Sequence, residues 1–445
     1  MIALMVAAPQ SGSGKTVLTC ALLRALQRKG LSVTGFKCGP DYLDPLFHRR
    51  VLGAPCDNLD LFLQGGDAVH TTIGLAQADV AVIEGAMGLF DGIGGTDEAS
   101  AWQLAAQEHI PAILAVRPRG SSLTLAAQIQ GICAFRKSNV VAGVVLLDCK
   151  PKLATHLTPL IERECAIPVF GYLPPMEEAK FASRHLGLVR AQEVPDFQHR
   201  IDVIAATLER TCDLEALLAV AAAVEPAPRP GRVAHAQCRI AVARDEAFCF
   251  YYDASLARLT ECGAELMAFS PLRDKELPPA DGLYLGGGYP ELHAAQLAEN
   301  RSMLRSVRDA VVEGLPTVAE CGGFMYLQEE LVDKSGRAYR MAGVLPGRSY
   351  PAGRLVRFGY AHLSARHDSM LLRAGEQVPA HEFHHWDSTH NGEDLVARKL
   401  DGTTWKCCHA TPTLYAGFPH LHFAGTLPLA ERFVQSATKK GRTTQ

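Results

Sequence analysis

The chain has 445 residues, of which 48% are apolar and 20% charged, and a formal net charge of −3. This length predicts two or three domains of an ordinary soluble protein, and the small net charge argues against nucleic acid or an anionic membrane as a partner. The 13 scattered cysteines include no C-x-x-C pair, which favours reduced thiols in the cytoplasm. No run of about 18 apolar residues occurs, so no membrane span is predicted.

Short apolar runs alternate with stretches of helical spacing in the first half of the chain. Strands are predicted at Ile2–Ala8, Val33–Lys37, Val80–Ile83, Ala112–Val116 and Val140–Leu147, and helices at Thr16–Lys29 and Leu123–Phe135. This alternation predicts an α/β domain with a parallel sheet covered on both faces. The apolar N-terminus lacks the basic flank of a signal peptide and is interpreted as the first strand.

A proline-rich segment separates two α/β patterns. Residues 225–236 hold three prolines without periodicity and are predicted to link a domain at 1–224 to one at 237–435. The polar residues 436–445 are expected to be a disordered tail. Strands of the second domain are predicted at Arg239–Ala243, Gly282–Leu285 and Pro316–Ala319, with more exposed ones at Ala361–Leu363 and His381–His385.

The first predicted strand runs into the glycine-rich loop APQSGSGKT at 8–16, which a helix follows. Glycine lets backbone N–H groups converge on phosphates, and the helix N-terminus adds positive potential. In such a loop Lys15 reaches the β- and γ-phosphates and the Thr16 hydroxyl binds Mg²⁺. Pro9 stands where the full motif has glycine, so a strand-to-helix turn without nucleotide is the alternative. The predicted nucleotide-binding residues are Gly12, Ser13, Gly14, Lys15 and Thr16.

Acidic residues follow two of the predicted strands. Glu84 ends the run Asp79–Glu84, and Asp41 and Asp44 come after the strand that ends at Lys37. Ligands collect at the carboxyl ends of strands in open α/β sheets, so these acids and Asp91 are expected to face one crevice. Taken singly, each could equally be a solvated loop residue or a helix cap.

A cysteine lies at a predicted strand–turn–helix in the second half. Cys321 follows the apolar run that begins at Leu315, and two glycines and the helical stretch Phe324–Leu331 come after it. A cysteine at such an elbow is exposed near a helix N-terminus that favours the thiolate, whereas the alternative is an inert buried cysteine. The glycines at 286–288 follow another predicted strand. They are expected to supply oxyanion-hole N–H groups from Gly287 and Gly288, with a further one from Gly322.

A nucleophilic cysteine also needs a base. His420 and His422 are the candidates, and strand-like alternation would send both rings to one face, so spacing does not choose between them. The string at His381–His385 matches the zinc-protease motif H-E-x-x-H, but that chemistry needs a helix. Pro379 precedes it and no helical amphipathicity supports it, so a strand with polar contacts is predicted instead.

Together these motifs resemble the cobyrinate a,c-diamide synthases of cobalamin biosynthesis and their hydrogenobyrinate and nickel-sirohydrochlorin counterparts. The resemblance covers about residues 1–432. It is carried, in this order, by APQSGSGKT (8–16), FKCGPDYLDP (36–45), VIEGAMGLFDG (82–92), SRHLGLV (183–189), ARDEAFCFYY (243–252), LYLGGGYPEL (283–292), AECGGFMYL (319–327), HEFHHW (381–386) and HLHF (420–423).

For the N-terminal domain, the resemblance implies a dethiobiotin-synthetase-like P-loop fold that phosphorylates a macrocycle carboxylate to an acyl phosphate. Asp44 and Asp91 match family acids near the substrate and the reacting phosphate. Thr16, Asp41 and Glu84 match the Mg²⁺ ligands. The implied partners are ATP, glutamine and a small-molecule tetrapyrrole carboxylate, without nucleic acid or membrane; the oligomeric state, including a homo-oligomer, stays open.

For the C-terminal domain, the resemblance implies a class I glutamine amidotransferase-like α/β fold. Cys321 would attack the glutamine amide, form a thioester and release ammonia, which would travel between the domains and displace phosphate, so that the c and a acetates are amidated in turn. The family's H-x-x-F pattern makes His420 the base.

Two departures accompany the resemblance. Class I amidotransferases often carry Glu two residues after the base, but position 422 is His, so the site is a dyad or uses another orienting residue. The family usually has an Asn after Gly-Val-Ile-Leu, where it can help to read adenine, whereas this chain has GVVLL at 143–147 followed by Asp148 and Cys149. A competing hypothesis of another class is a partitioning or regulatory P-loop ATPase with a non-catalytic amidotransferase-like domain.

Overall fold

The computed structural model describes residues 1–181, 183–184, 187–188, 194–228 and 235–443. The chain forms two units, one of Met1–Leu61 with Gly65–Arg229 and one of Phe62–Gln64 with Pro230–Gln445. The predicted linker 225–236 spans this division, and its residues 229–234 lie outside the described ones. In the part of the chain that is described, no helix is both long and apolar enough to cross a lipid bilayer.

The first unit is built on a mainly parallel sheet. Its strands are β1 Ile2–Ala7, β2 Val33–Cys38, β3 Asp57–Leu59, β4 Val80–Glu84, β5 Ala112–Val116, β6 Val141–Leu146, β7 Val169–Tyr172, β8 Ser183–Arg184, β9 Gly187–Leu188 and β10 Ala222–Ala223. The sheet order is β3-β2-β4-β1-β5-β6-β7, β10 pairs antiparallel with β1, and β8 and β9 pair with each other. The remainder of the predicted motif at 183–189 lies outside the described residues.

Helices cover this sheet on both faces. They are α1 Lys15–Arg28, α2 Leu43–Leu52, α3 Gly66–Gly74, α4 Ala101–Gln107, α5 Leu123–Ala134, α6 Pro151–Cys165, α7 Phe197–Thr211 and α8 Leu214–Ala219, with a 3₁₀ turn at Ile93–Gly95. Along β1, Leu4 and Val6 join one apolar cluster, whereas Ala3 and Met5 join the other. Successive side chains of a strand point to opposite faces, so the near-continuous apolar runs confirm the predicted two-sided burial.

Strand register brings three loops of the first unit together. Val6 of β1 and Lys37 of β2 both lie opposite Glu84 of β4. The glycine loop after β1, the acidic segment after β2 and the loop after β4 therefore leave the same edge of the sheet. This carboxyl edge is where open α/β sheets bind their ligands.

The second unit combines a mainly parallel sheet, in which the short strand His409–Ala410 runs antiparallel to its neighbour, with a mixed one. Its strands are β11 Cys238–Ala243, β12 Phe248–Phe250, β13 Ala264–Phe269, β14 Gly282–Leu285, β15 Gly287–Gly288, β16 Thr317–Glu320, β17 Gln328–Val332, β18 Ala338–Arg340, β19 Leu345–Ala365, β20 Gln377–Ser388, β21 Leu395–Arg398, β22 Thr404–Cys407, β23 His409–Ala410, β24 Leu414–Gly417 and β25 His420–Leu421. One sheet has the order β13-β11-β14-β16-β24-β23, and β18-β17-β19-β20-β25 form the other, with β21 and β22 at its side.

The helices of this unit pack against the parallel sheet. They are α9 Asp253–Glu261, α10 Ala294–Glu299, α11 Arg301–Val312, α12 Gly322–Leu327 and α13 Leu429–Thr443, with a 3₁₀ turn at Pro290–Leu292. Leu285 at the end of β14 lies opposite Ala319, and Glu320 at the end of β16 lies opposite Gly417. The segments after β14, β16 and β24 therefore meet at one edge.

Two sequence expectations in the second unit were wrong. The helix expected over Phe324–Leu331 ends at Leu327, and β17 begins at Gln328, because pairing with β18 and β19 satisfies the backbone there. The tail expected to be disordered from 436 continues α13 to residue 443. Ala437 is fully buried in a core cluster, so the few apolar side chains of this polar segment pack against the core. Residues 444–445 lie outside the described ones.

Candidate active sites

The loop after β1 turns tightly before α1. Gly12 and Gly14 have φ angles of 73° and 96°, in the left-handed region that glycine adopts without steric cost. α1 begins at Lys15, whose Nζ is buried and donates a hydrogen bond to the carbonyl of Met87 in the loop after β4. The glycine turn, the helix start and the inward lysine are the parts of a phosphate cradle.

The carboxylate of Glu84, at the end of β4, contacts several polar side chains of this site. The Thr16 hydroxyl donates to Glu84 Oε1 over 2.7 Å and lies 3.3 Å from Asp44 Oδ1. Lys37 Nζ lies 2.7 Å from Asp44 Oδ2 and 3.3 Å from Glu84 Oε1. His48 Nε2 contacts Glu84 Oε2 at 2.7 Å. Glu84 therefore holds a hydroxyl, an ammonium group and an imidazole at once.

The other two predicted acids belong to the same edge. Burial and the neighbouring Asp44 raise the pKa of Asp41 to about 8. Asp91 Oδ2 accepts a hydrogen bond of 2.8 Å from the Gly88 N–H, and its charge acts on the Lys15 ammonium. The structure thus places all four predicted acids at the same edge of the sheet, beside the glycine loop.

Charge in the cradle is arranged for an anion. Burial and the nearby Lys37 lower the pKa of Lys15 to about 8. Burial works against ionisation of Glu84, but Lys37 and His48 hold the pKa of that carboxyl well below its usual range. A phosphate bound at Lys15 would favour the charged ammonium again, because an adjacent opposite charge stabilises the ionised form.

The donors in this site fit a hard divalent cation. Thr16, Glu84 and Asp44 offer only oxygen atoms, and Mg²⁺ in phosphate sites takes one or two carboxylates together with substrate phosphates and water. Among the described residues no group of three or more His, Cys, Asp or Glu side chains forms a metal cage by itself. Asp41 lies beside Asp44 and Lys37.

Sequence reasoning missed two polar residues that contact Glu84. Lys37 was treated only as the end of a strand and His48 was not considered, although both are buried and both contact Glu84. Lys37 belongs to the quoted segment 36–45. A lysine at the end of a predicted buried strand could have indicated a functional side chain there. His48 lies on α2, and only the packing of that helix reveals its role.

A cavity of about 460 Å³ borders the glycine loop at Gly14. Arg117 Nε pairs with Asp148 Oδ2 at 2.9 Å on its wall, and Arg117 also donates to the Gly12 carbonyl over 2.9 Å. Leu147 and the segment 173–176 supply its apolar surface. The cavity therefore offers apolar walls with a paired donor and acceptor next to the cradle.

In the second unit, Cys321 lies in a strained elbow between β16 and α12. Its φ and ψ are 48° and −99°, a conformation that costs a non-glycine residue free energy of order 1–3 kcal/mol. The Cys321 N–H donates to the Gly417 carbonyl over 2.7 Å, which ties the elbow to β24. Strain of this kind is concentrated at active sites.

Close packing around the elbow leaves room only for glycine. A Cβ atom on Gly322 would lie 3.2 Å from the Gly288 nitrogen, and one on Gly323 would lie 2.1 Å from the Leu285 carbonyl oxygen. The N–H of Gly322 is a hydrogen-bond donor to the Cys321 thiol. The Gly322 N–H therefore adjoins the sulfur, and the Gly288 nitrogen lies beside Gly322.

The resting thiol differs from the sequence expectation. Burial raises the pKa of Cys321, and the charges of Glu291 and Glu382 add to this, while the Gly322 N–H opposes it. α12, which begins directly after Cys321, has only six residues. Because the pKa of the thiol is raised, a base is needed to form the nucleophilic thiolate.

The two candidate bases have different surroundings. His420 Nδ1 lies 3.4 Å from Glu320 Oε2, and a Cβ atom on Gly287 would lie 3.4 Å from His420 Nε2. Neither ring nitrogen of the buried His422 has a hydrogen-bond partner. The His420 ring therefore borders the same glycine segment as the elbow, and its position favours it as the base.

The string His381–His385 lies within strand β20, as predicted. His384 Nε2 contacts Glu382 Oε2 at 2.7 Å, and its ring stacks on Phe418 with centroids 4.0 Å apart. His381 lies opposite His420 in the pairing of β20 with β25. This segment therefore supports the base instead of forming the helix that a zinc-protease motif needs.

Comparison with known proteins identifies a nucleotide-binding domain and an amidotransferase domain in this chain. Residues 4–189 match the family model of the CobQ/CobB/MinD/ParA nucleotide binding domain, and residues 239–427 match the CobB/CobQ-like glutamine amidotransferase domain. The chain is 37% identical over 445 residues to a cobyrinate a,c-diamide synthase of Clostridium acetobutylicum, covering 98% of this chain and 100% of that one.

A cobyrinate a,c-diamide synthase of Salmonella typhimurium is 39% identical over 455 residues, covering 98% of each chain. Similarity of this extent spans both units. It favours an amidating enzyme over a partitioning ATPase. The chain belongs to the family of the cobyrinate a,c-diamide synthases.

Proposed function

We propose that this chain is an ATP- and glutamine-dependent ligase that amidates the a and c acetate side chains of cobyrinate. Full-length similarity to relatives named for this activity carries the proposal, and a phosphate cradle and a cysteine elbow on one chain support it. The same chemistry on hydrogenobyrinate or nickel-sirohydrochlorin is the nearest alternative, because both sites would perform the same steps on any of these macrocycle carboxylates.

The cysteine site would release ammonia from glutamine. His420 takes the proton of the Cys321 thiol, and the sulfur attacks the amide carbon. The oxyanion that forms accepts hydrogen bonds from backbone N–H groups of Gly287, Gly288 and Gly322. His420 then returns the proton to the leaving nitrogen, so that ammonia departs and a thioester remains, which water hydrolyses to glutamate and free thiol.

The phosphate cradle would prepare the acceptor. A carboxylate resists ammonia because its carbonyl is a poor electrophile, and transfer of the γ-phosphoryl group of ATP converts it to an acyl phosphate. Lys15 and the N–H groups of the loop 12–16 neutralise the charge that develops on the phosphates. Ammonia from the cysteine site then attacks the acyl carbon and phosphate leaves. Asp44 and Asp91 lie beside this chemistry.

We propose that Thr16 and Glu84 hold Mg²⁺, with Asp44 and Asp41 nearby. When bound, the cation supplies positive charge to the phosphates of ATP. Lys37 holds Glu84 and Asp44 in place, since it contacts both carboxylates. The purine base would occupy the cavity between Gly14 and Asp148. We also place the enzyme in the cytoplasm, because each of its 13 cysteines is a thiol and not half of a disulfide.

A substrate panel tests the proposal. Enzyme, ATP and glutamine labelled with ¹⁵N in the amide are incubated in three parallel reactions with cobyrinate, hydrogenobyrinate or nickel-sirohydrochlorin. The masses of the products are measured by mass spectrometry. We expect labelled amides at both acetates of cobyrinate, with ATP consumed in step. Amidation of only one of the other two macrocycles would reassign the substrate. ATP turnover stimulated by DNA without any amide product would favour the partitioning ATPase.

Gly323→Ala tests the close packing behind the elbow. Because the new Cβ would overlap the Leu285 carbonyl, we expect the elbow to shift and glutamine hydrolysis to fall by roughly 10²-fold. Gly131→Ala is the control, since a Cβ atom there meets nothing within 4 Å and alanine suits the interior of α5. Glutaminase rates of the two variants within a factor of two would contradict the packing described for Gly323.

A further inference from the structure

The base of the cysteine site needs a partner on its second nitrogen. An imidazole that takes a proton through Nε2 works when an acceptor at Nδ1 fixes its tautomer and ring orientation. His422, at the position where such a partner is expected by spacing, has no hydrogen-bond partner on either nitrogen. The group that orients His420 must therefore come from elsewhere in the fold.

Glu320 occupies the required position. Its Oε2 lies 3.4 Å from His420 Nδ1, a separation typical of a catalytic hydrogen bond that tightens when substrate binds. Its Oε1 accepts a hydrogen bond of 3.0 Å from the Leu421 N–H. Glu320 and His420 are 1% and 2% exposed, so water does not compete for these contacts.

The location of Glu320 in the strand explains how it reaches the base. Glu320 directly precedes Cys321, and successive side chains of an extended strand point to opposite sides. The carboxylate therefore extends away from the sulfur, toward β25, where the backbone of Leu421 and the ring of His420 meet it. One strand end supplies both the nucleophile and the group behind the base.

The surroundings of Glu320 keep it an acceptor. The Tyr284 hydroxyl donates to Oε2 over 3.1 Å, and burial, with the adjacent Glu320 charge, raises the pKa of Tyr284 so that it stays protonated. Two of the neighbours of the carboxylate are thus fixed donors. Among the described residues, His420 is the only basic side chain within 4.0 Å of it.

We propose that Glu320 is the positioning residue of the glutaminase site, which accepts the Nδ1 proton of His420 and completes a Cys321–His420–Glu320 triad. In the resting site this contact leaves Nε2 without a proton and turned toward Gly287 and the elbow. When Nε2 takes the thiol proton, the imidazolium that forms is paired with a buried carboxylate. The inference rests on the proposed glutaminase activity.

Glu320→Gln tests it with little change in shape. The amide oxygen can still accept from Leu421, but an NH₂ group facing Nδ1 favours the tautomer with the proton on Nε2. We expect the kcat of glutamine hydrolysis to fall by roughly 10³-fold or more, as for other triads given the wrong tautomer, with the KM for glutamine changed less than about twofold. Glu320→Asp, which restores the charge on a shorter arm, should recover part of the loss.

Two controls separate positioning from support of the fold. Tyr284→Phe removes a hydrogen bond to the same oxygen but leaves the carboxylate beside His420, and should cost less than about tenfold. Amidation driven by added ammonium chloride bypasses glutamine and should proceed at the wild-type rate in Glu320→Gln. If Glu320 only supported the fold, Glu320→Gln and Tyr284→Phe would each lose glutamine hydrolysis and ammonium-driven amidation in proportion to the unfolded fraction.

Nitrogen NMR of ¹⁵N-histidine-labelled protein reads the tautomer directly. The His420 signal is identified by its absence from His420→Gln, and we expect an Nδ1–H ring in the wild type and a change of tautomer in Glu320→Gln. Wild-type kcat in Glu320→Gln, or an Nε2–H ring in the wild type, would overturn the inference alone. Absence of glutaminase activity from the wild type, or its persistence in Cys321→Ala, would instead overturn the proposed function.

Discussion

Cys321→Ala is expected to abolish glutamine hydrolysis, with kcat lower by roughly 10⁴-fold or more, because loss of a covalent nucleophile removes the thioester route altogether. The loss should extend to glutamine-driven amidation of the macrocycle. Amidation with added ammonium chloride should continue, since the phosphate cradle lies in the other unit. Glutamate release and amide formation, measured on the same sample with each nitrogen source, separate these activities.

Cys262→Ala is the matched control for this change. Cys262 follows α9 in the same unit, and its thiol takes no part in the elbow. Both nitrogen sources should support wild-type rates in this variant. Glutamine hydrolysis that survives unchanged in Cys321→Ala would mean that the nucleophile is wrongly assigned, whereas equal loss with glutamine and with ammonia would point to a folding defect.

Lys15→Ala is expected to reduce ATP turnover that depends on the macrocycle by roughly 10³-fold, because the proposed mechanism uses this buried ammonium to neutralise charge on the transferred phosphoryl group. It also leaves Lys37 as the remaining ammonium beside Glu84 and Asp44. Phosphate release and ADP formation in the presence of cobyrinate measure this effect. Glutamine hydrolysis without ATP should stay near the wild-type rate.

Lys29→Ala serves as the control for Lys15→Ala. Lys29 is exposed and immediately follows the same helix, at the end away from the cradle. Its loss should leave ATP turnover within about twofold of the wild type. Normal turnover in Lys15→Ala would reject the cradle, and a parallel fall in glutaminase activity would indicate loss of folded protein.

Much of the fold was predictable because its signals are local. The strands at Ala112–Val116 and Gly282–Leu285 were predicted with the bounds that the structure has, since buried parallel strands are short apolar runs between turns. The order strand–glycine loop–Lys15–helix was equally readable. Prediction failed after residue 435, where polar composition concealed the buried side of α13.

The thiol of Cys321 illustrates a different limit. A helix N-terminus beside a cysteine favours the thiolate, and the sequence shows that pattern. The structure adds burial and the charges of Glu291 and Glu382, which raise the thiol pKa instead. Glu382 is distant in sequence, so its field at the sulfur depends on how β20 packs.

The sequence by itself determined the two chemistries, because a phosphate cradle and a nucleophile elbow are each encoded in contiguous residues whose backbone shape follows from glycine and strand–helix order. Only the tertiary structure decided which side chains meet. Lys37 and Glu84 are 47 residues apart and Glu320 and His420 are 100 apart. Their contacts depend on strand register, which brings distant residues within hydrogen-bonding distance. Spacing along the chain does not reveal that register.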